Sequence, residues 1–136
     1  DPSNYSLGKL YSVNFYQSLS KILALNAVVV IQTTSPYFAP KSFWCINKTV
    51  KTSFSNTDAY HVYVPSFGEW GFTITSNNPS FDFNSINRKV ENLRFYNYKY
   101  NTLNQFTNDM KASNIEVNRL DNQILVRYFD EEWGKL

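Results

Sequence analysis

Gln32 stands at the end of the longest apolar run of the chain, Ala27–Ile31, and is followed by the small polar residues Thr33, Thr34 and Ser35. Its amide can donate and accept hydrogen bonds at once, which suits it to orienting a substrate. Tyr60 and Tyr63, in the run Tyr60–Val64, offer phenol oxygens. Beyond a break at Pro65, Phe67 and the glycine-flanked Trp70 offer an apolar wall whose ring faces also attract a cation. Asp1 precedes Pro2 and would follow a strand if more chain lies before it, and a carboxylate at such a crest can hold a cationic amine. Each residue also has a plain structural use. Asp-Pro opens loops, a terminal glutamine can cap a sheet, and strand tyrosines pack.

Other chemistry finds little support. The single histidine, His61, lies in the middle of a predicted strand, where it reads as a packing residue rather than a base. The single cysteine, Cys45, falls inside a predicted helix and reads as a buried, inert thiol. One cysteine and one histidine exclude an internal disulfide, a cysteine zinc site and a multi-histidine metal centre. The glycines are Gly8, Gly68, Gly71 and Gly134, so no GxGxxG phosphate loop is present. Asp130, Glu131 and Glu132 read as a solvated helix face.

The elements that must position the candidates follow from periodicity. Phe15, Tyr16, Leu19, Ile22 and Leu23 share one helical face, with Ser12 as N-cap and Asn26 able to end the helix in the left-handed conformation. Residues before Tyr11 read as polar loop. Ala27–Thr33 shows no polar alternation until Gln32, which predicts a strand covered on both faces. Pro40 suits the first position of a helix whose buried stripe is Phe43, Ile46, Val50 and Phe54. Tyr60–Val64 and Trp70–Thr75 are strands joined by a link too short for a parallel crossover. Asn77–Ser80 is a turn-rich boundary. The stretch Ile86–Tyr100 is aromatic, basic and weakly periodic; Thr102–Lys111 reads as a short helix on Leu103, Phe106 and Met110. Gln123–Lys135 reads as a closing helix capped by Asp121 or Asn122, with a strand at Ile124–Phe129 as the competing reading.

Composition sets the outer bounds. With 136 residues, 43% hydrophobic and 18% aromatic, the chain is at most one ordinary domain and has enough apolar surface to fold. A net charge of +2 without a basic cluster gives nucleic-acid binding no electrostatic footing. No apolar run approaches a membrane span, the N-terminus has no signal-peptide pattern, and the lone cysteine fits a reducing, cytoplasmic setting.

Four stretches carry a family resemblance: DPSNYSLGKLYSVNFY (1–16), VVVIQTTSPYFAPKSFW (28–44), YHVYVPSFGEWGF (60–72) and EVNRLDNQILVRYFDEEW (116–133). In this order they resemble the polyamine aminopropyltransferases (spermidine synthases), most closely the bacterial branch whose longer members carry an N-terminal membrane region. The resemblance implies an α/β fold, the C-terminal half of a Rossmann-like methyltransferase fold. Residues 1–78 would form a three-stranded mixed sheet flanked by helices, and residues 79–136 a mostly helical extension. It also implies transfer of an aminopropyl group from decarboxylated S-adenosylmethionine, a co-substrate rather than a tightly bound cofactor, to putrescine. Asp1 matches the second acid of the family's D-x-x-D-P motif and is the catalytic candidate. The first acid would lie three residues before Asp1. Gln32 matches a polyamine-holding glutamine, and Tyr60 is the nearest match to an amine-contacting tyrosine, with Tyr63 as the alternative. A neutral amine is needed for attack, and carboxylates first attract the cation and then take up a proton. An aromatic wall of Phe67 and Trp70 would exclude water.

The family's glycine-rich donor loop is not in this sequence, so the resemblance assigns the chain the acceptor side of a site. A non-catalytic polyamine-binding or assembly module, or another S-adenosylmethionine-dependent transferase on the same fold, are the alternatives. In the family the fifth strand pairs with the fourth, so Ala27–Thr33 would present an open apolar edge. Such an edge invites self-association, a domain swap or a separate N-terminal partner chain. By itself, the chain is expected not to transfer an aminopropyl group from decarboxylated S-adenosylmethionine to putrescine. Donor-dependent formation of spermidine by the purified chain would contradict this.

Overall fold

The computed structural model describes residues 1–85 and 100–134, so the aromatic, basic stretch 86–99 lies outside the described residues. The chain opens not as a loop but with helical turns: α1 (Tyr5–Gly8) and a 3-10 turn at Lys9–Tyr11. Asn4 starts them by accepting the Leu7 N–H on its Oδ1 at 3.0 Å. Four residues are too few for a helical period to show, which is why the sequence reads as loop there. Helix α2 (Val13–Ile22) begins at Ser12, whose Oγ accepts from Phe15 N as expected. It stops earlier than expected, at an extended Leu23 rather than a left-handed Asn26. Its last carbonyls are satisfied from far away, because Asn77 Nδ2 donates to Ser20 O at 2.8 Å and to Leu23 O at 3.4 Å. No local left-handed cap is needed.

Strand β1 (Val28–Gln32) leads through a crest into α3 (Pro40–Lys51), and then come β2 (Asn56–Val64) and β3 (Gly68–Ser76). The sheet order is β1-β3-β2, with β3 antiparallel to both neighbours. The three strands therefore form an antiparallel sheet among the described residues, not the mixed one expected. β1 and β2 do run the same way, linked by α3, but β3 sits between them and removes any parallel pair. Among the described residues β1 is an edge and is not covered on both faces: its burial alternates, with Ile31 packed against the core and Val30 50% exposed. An apolar run without alternation thus marked an edge strand with one open face.

The core lies between α2, α3 and the C-terminal helix α5 (Ile124–Trp133), built on Tyr16, Cys45, Ile46, Val50, Phe54, Ile115 and Leu125. The stripe Phe43, Ile46, Val50 and Phe54 is buried as its spacing requires. One buried amide, Asn118, ties the surrounding pieces together. Its Nδ2 donates to Gly8 O and Tyr11 O, its Oδ1 accepts from Leu125 N, and its own N–H donates to Thr49 Oγ1. The expected helix Thr102–Lys111 is instead two short turns, α4 (Tyr100–Leu103) and a 3-10 turn at Asn108–Met110. Carbonyls of this stretch are used elsewhere: His61 Nε2 donates to Gln105 O between the turns, and Trp44 Nε1 to Met110 O at the end of the second. α5 forms as expected, with a left-handed Gln123 at its N-cap position. Asn122, one of the two residues expected to cap it, accepts from Ile124 N on its Oδ1 at 3.2 Å.

Gly71 of β3 carries the tightest approach between sheet and helix. A Cβ there would lie 2.3 Å from Phe43 Cε2 and 2.7 Å from Thr34 O. Gly71→Ala is expected to destabilise the fold by about 1–3 kcal/mol, the usual range for overpacking. Urea unfolding midpoints of the two proteins measure it, and an unchanged midpoint would show that Phe43 and the backbone can give way.

Candidate functional site

In an antiparallel sheet, residues paired across strands share a face. Phe72 pairs with Gln32 on one side and with Tyr60 on the other, so these three form a row across one face of the sheet. The Tyr60 ring stacks on Phe72 with centroids 5.2 Å apart and planes 19° apart. Trp70, two residues before Phe72, is on the same face, whereas Tyr63 pairs with Glu69 and is on the other. Of the two tyrosines, then, only Tyr60 joins Gln32. Tyr63 is 60% exposed and belongs with His61 and Glu69, whose side chains meet at 2.7 Å (Nδ1 to Oε2). Asp1 is exposed ahead of α1, and among the described residues no hydrogen bond joins it to Gln32, Tyr60 or Trp70.

The crest after Gln32 keeps bonding to β3 past the end of the strand. Thr33 N donates to Gly71 O at 2.9 Å, and Gly71 N donates to Thr34 O at 2.7 Å. Thr34 sits in the left-handed region, at φ 65°, which for a β-branched residue stores roughly 1–3 kcal/mol of strain. Its hydroxyl accepts the indole N–H of Trp133 at 3.2 Å. Ser35, fully buried, donates to Glu69 O at 2.6 Å and accepts from Tyr37 N and Phe38 N on the same oxygen. One hydroxyl therefore both anchors the turn to β3 and sets the two aromatic residues that follow.

Those aromatics complete a rim at the carboxyl end of β1. Phe67 packs on Trp70 with centroids 5.1 Å apart, Trp70 on Trp133 at 6.2 Å, and Trp133 on Phe38 at 6.2 Å. Tyr37 meets Phe38 edge-on at 5.3 Å. Phe67, Tyr37 and Phe38 are all about half exposed. Such a rim offers apolar area together with electron-rich ring faces, to which apolar and cationic groups are both attracted. Phe67 and Trp70 were visible in the sequence; Tyr37, Phe38 and Trp133 were not. The signal for the first two was a Ser-Pro turn directly after the strand. Trp133 lies 63 residues from Trp70 in the chain and read only as part of a helix stripe.

Comparison with known proteins points one way. Residues 1–89 match the family model described as spermine/spermidine synthase domain. Polyamine aminopropyltransferase 2 of Ralstonia nicotianae is 48% identical over 136 residues, covering 98% of this chain and 26% of that protein. The polyamine aminopropyltransferase of Leptospira interrogans is 44% identical over 140 residues, covering 100% of this chain and 27% of that protein. The chain thus spans about a quarter of the length of the curated relatives it matches. Among solved structures, spermidine synthase from Thermotoga maritima superposes with a TM-score of 0.60 at 22% identity, over 73% of this chain and 37% of that one. A spermidine synthase in complex with the transition-state analogue AdoDATO gives 0.60 at 18% identity, over 93% and 40%. At those identities the two structures speak for the fold.

Cys45 takes no part in this face. It is fully buried, and burial pushes its thiol up to about 12. Since the thiolate is the reactive form, Cys45 should resist a disulfide reagent at pH 8 in the folded chain and react at once in denaturant. Rapid labelling of the native protein would place the thiol within reach of solvent.

Proposed function

The chain belongs to the spermine/spermidine synthase family, and from that premise we propose that it forms the amine-acceptor wall of a polyamine aminopropyltransferase. The row Gln32–Phe72–Tyr60 at the carboxyl end of β1 carries this reading. In open α/β sheets that end is where ligands bind. Gln32 orients one amine of the acceptor through its amide. Tyr60 offers a phenol oxygen in the same row, and Phe67 and Trp70 flank the methylene chain. Tyr63, on the opposite face, has no role. Asp1 supplies a carboxylate that attracts the cation and hydrogen bonds to the reacting amine. Residues 1–78 make most of the wall, and Trp133 from the C-terminal part of the chain completes its rim.

The transfer itself is a displacement at carbon. The neutral acceptor amine forms a bond to the aminopropyl carbon that is attached to the sulfonium sulfur of decarboxylated S-adenosylmethionine. The carbon–sulfur bond breaks with its electron pair returning to sulfur, which leaves as a neutral thioether. The new ammonium then gives up a proton to a nearby carboxylate. The donor is a co-substrate, and no tightly bound cofactor is needed. Its glycine-rich binding loop belongs to the rest of the protein, whose neighbouring strand pairs along the open edge of β1, either in the same polypeptide or in a partner. Self-association through that edge is the other use of the same exposed valines. We place the activity in the cytoplasm, with the parent protein attached to a membrane in the bacterial branch resembled here. Among the described residues, no helix is long and apolar enough to cross a membrane.

Titration calorimetry of the chain with putrescine, spermidine and decarboxylated S-adenosylmethionine tests the reading. Both amines should bind and the donor should not. Gln32→Ala and Asp1→Asn should each weaken amine binding about tenfold, or about 1.4 kcal/mol, and Tyr63→Phe should leave it alone. Absence of amine binding, or binding indifferent to Gln32, would overturn the assignment.

A further inference from the structure

We propose that Glu132 and Trp133, the last two residues of α5, are positioning residues for the amine wall, because together they clamp the crest 33–39 at both of its ends. This rests on the reading of that face given above, but its geometry is independent of it. At the near end, Trp133 Nε1 donates to the hydroxyl of the strained Thr34, two residues after Gln32. At the far end, the crest enters α3 through Ala39, which has no side chain to cap a helix. Glu132 stands in for that cap from across the molecule. Its Oε1 accepts from Lys41 N at 2.7 Å, and its Oε2 accepts from Ser42 N at 2.9 Å and Ser42 Oγ at 2.7 Å. A carboxylate at a helix N-terminus satisfies orphan amides and meets the positive end of the helix dipole. The adjoining Lys41–Glu131 pair is half exposed on both sides and adds little.

Adjacent residues on one helix thus hold the two ends of the segment that carries Tyr37 and Phe38. The ring of Trp133 also touches both halves of the rim, Trp70 and Phe38. The sheet fixes the spacing of Gln32 and Trp70, so what α5 sets is how Phe38 and Trp133 stand around them, and with it the fit of amines of different length. The acidic run 130–132 is therefore not simply a solvated face.

Three variants and two readouts test the clamp: Trp133→Phe, which keeps a ring and loses the N–H; Glu132→Gln; and Glu132→Asp as the conservative rescue. Hydrogen exchange of the amides from Thr34 to Ser42 should quicken about tenfold in Trp133→Phe and Glu132→Gln, and recover partly in Glu132→Asp, while exchange in β2 stays as it was. Calorimetry should show the putrescine-to-spermidine affinity ratio changing about threefold or more in Trp133→Phe, a shift that a general loss of stability would not produce. Crest exchange that is unchanged, or that rises in step with β2, would overturn the clamp, as would an unaltered affinity ratio in a chain that binds both amines. If the unaltered chain binds neither amine, the acceptor-wall reading fails, and the exchange rates alone decide whether the clamp exists.

Discussion

The arrangement of the site depends on one missing side chain. At Gly71, β3 passes so close to the Phe43 ring and the Thr34 carbonyl that only a hydrogen fits on the inner face. That closeness lets β3 exchange backbone hydrogen bonds with Thr33 and Thr34 beyond the end of β1. It also lets α3 lie flat on the sheet with Phe43 fully buried. The strained backbone of Thr34 persists because bonds from β3 and from Trp133 hold it on two sides. Push β3 away, and the crest, the turn at Ser35 and the row beside Phe72 lose their common reference.

A second feature runs through the fold: polar side chains from distant parts of the chain satisfy the ends of its elements. Asn77 takes the last carbonyls of α2, Glu132 the first amides of α3, and Asn118 an early amide of α5 together with carbonyls of the opening turns. Each bond is made inside or at the edge of the packed body, where an unmet partner costs about 1–3 kcal/mol. The helices are thereby fastened to one another at their ends as well as along their apolar stripes. The aromatic rim at the end of β1 inherits this. It draws on the crest, the β2–β3 turn and α5, three segments with no contact along the chain.

The parts that were legible in the sequence are those whose cause is local. The stripe Phe43, Ile46, Val50 and Phe54, the proline that opens α3, the Ser12 cap and the short link that forces β2 and β3 antiparallel all depend on neighbours within a few residues. So does the position of Gln32 at a strand end. The misreadings share the opposite property. Asn26 lost its capping role to Asn77, the Gln105 carbonyl inside the helix expected at Thr102–Lys111 is bonded by His61 instead, and among the described residues β1 has one open face.

Residue types and spacing by themselves fixed which residues were able to do chemistry here: a glutamine at a crest, tyrosines in a strand, and an aromatic pair beyond a proline. They also carried the family, because long motifs in order do not need coordinates. Only the tertiary structure decided which of those residues meet. Pairing across β3 put Tyr60 beside Gln32 and sent Tyr63 to the other face, a choice that turns on a register of one residue. It also brought Trp133 into the rim, because helix packing sets its contact with Trp70 and no spacing in the chain does.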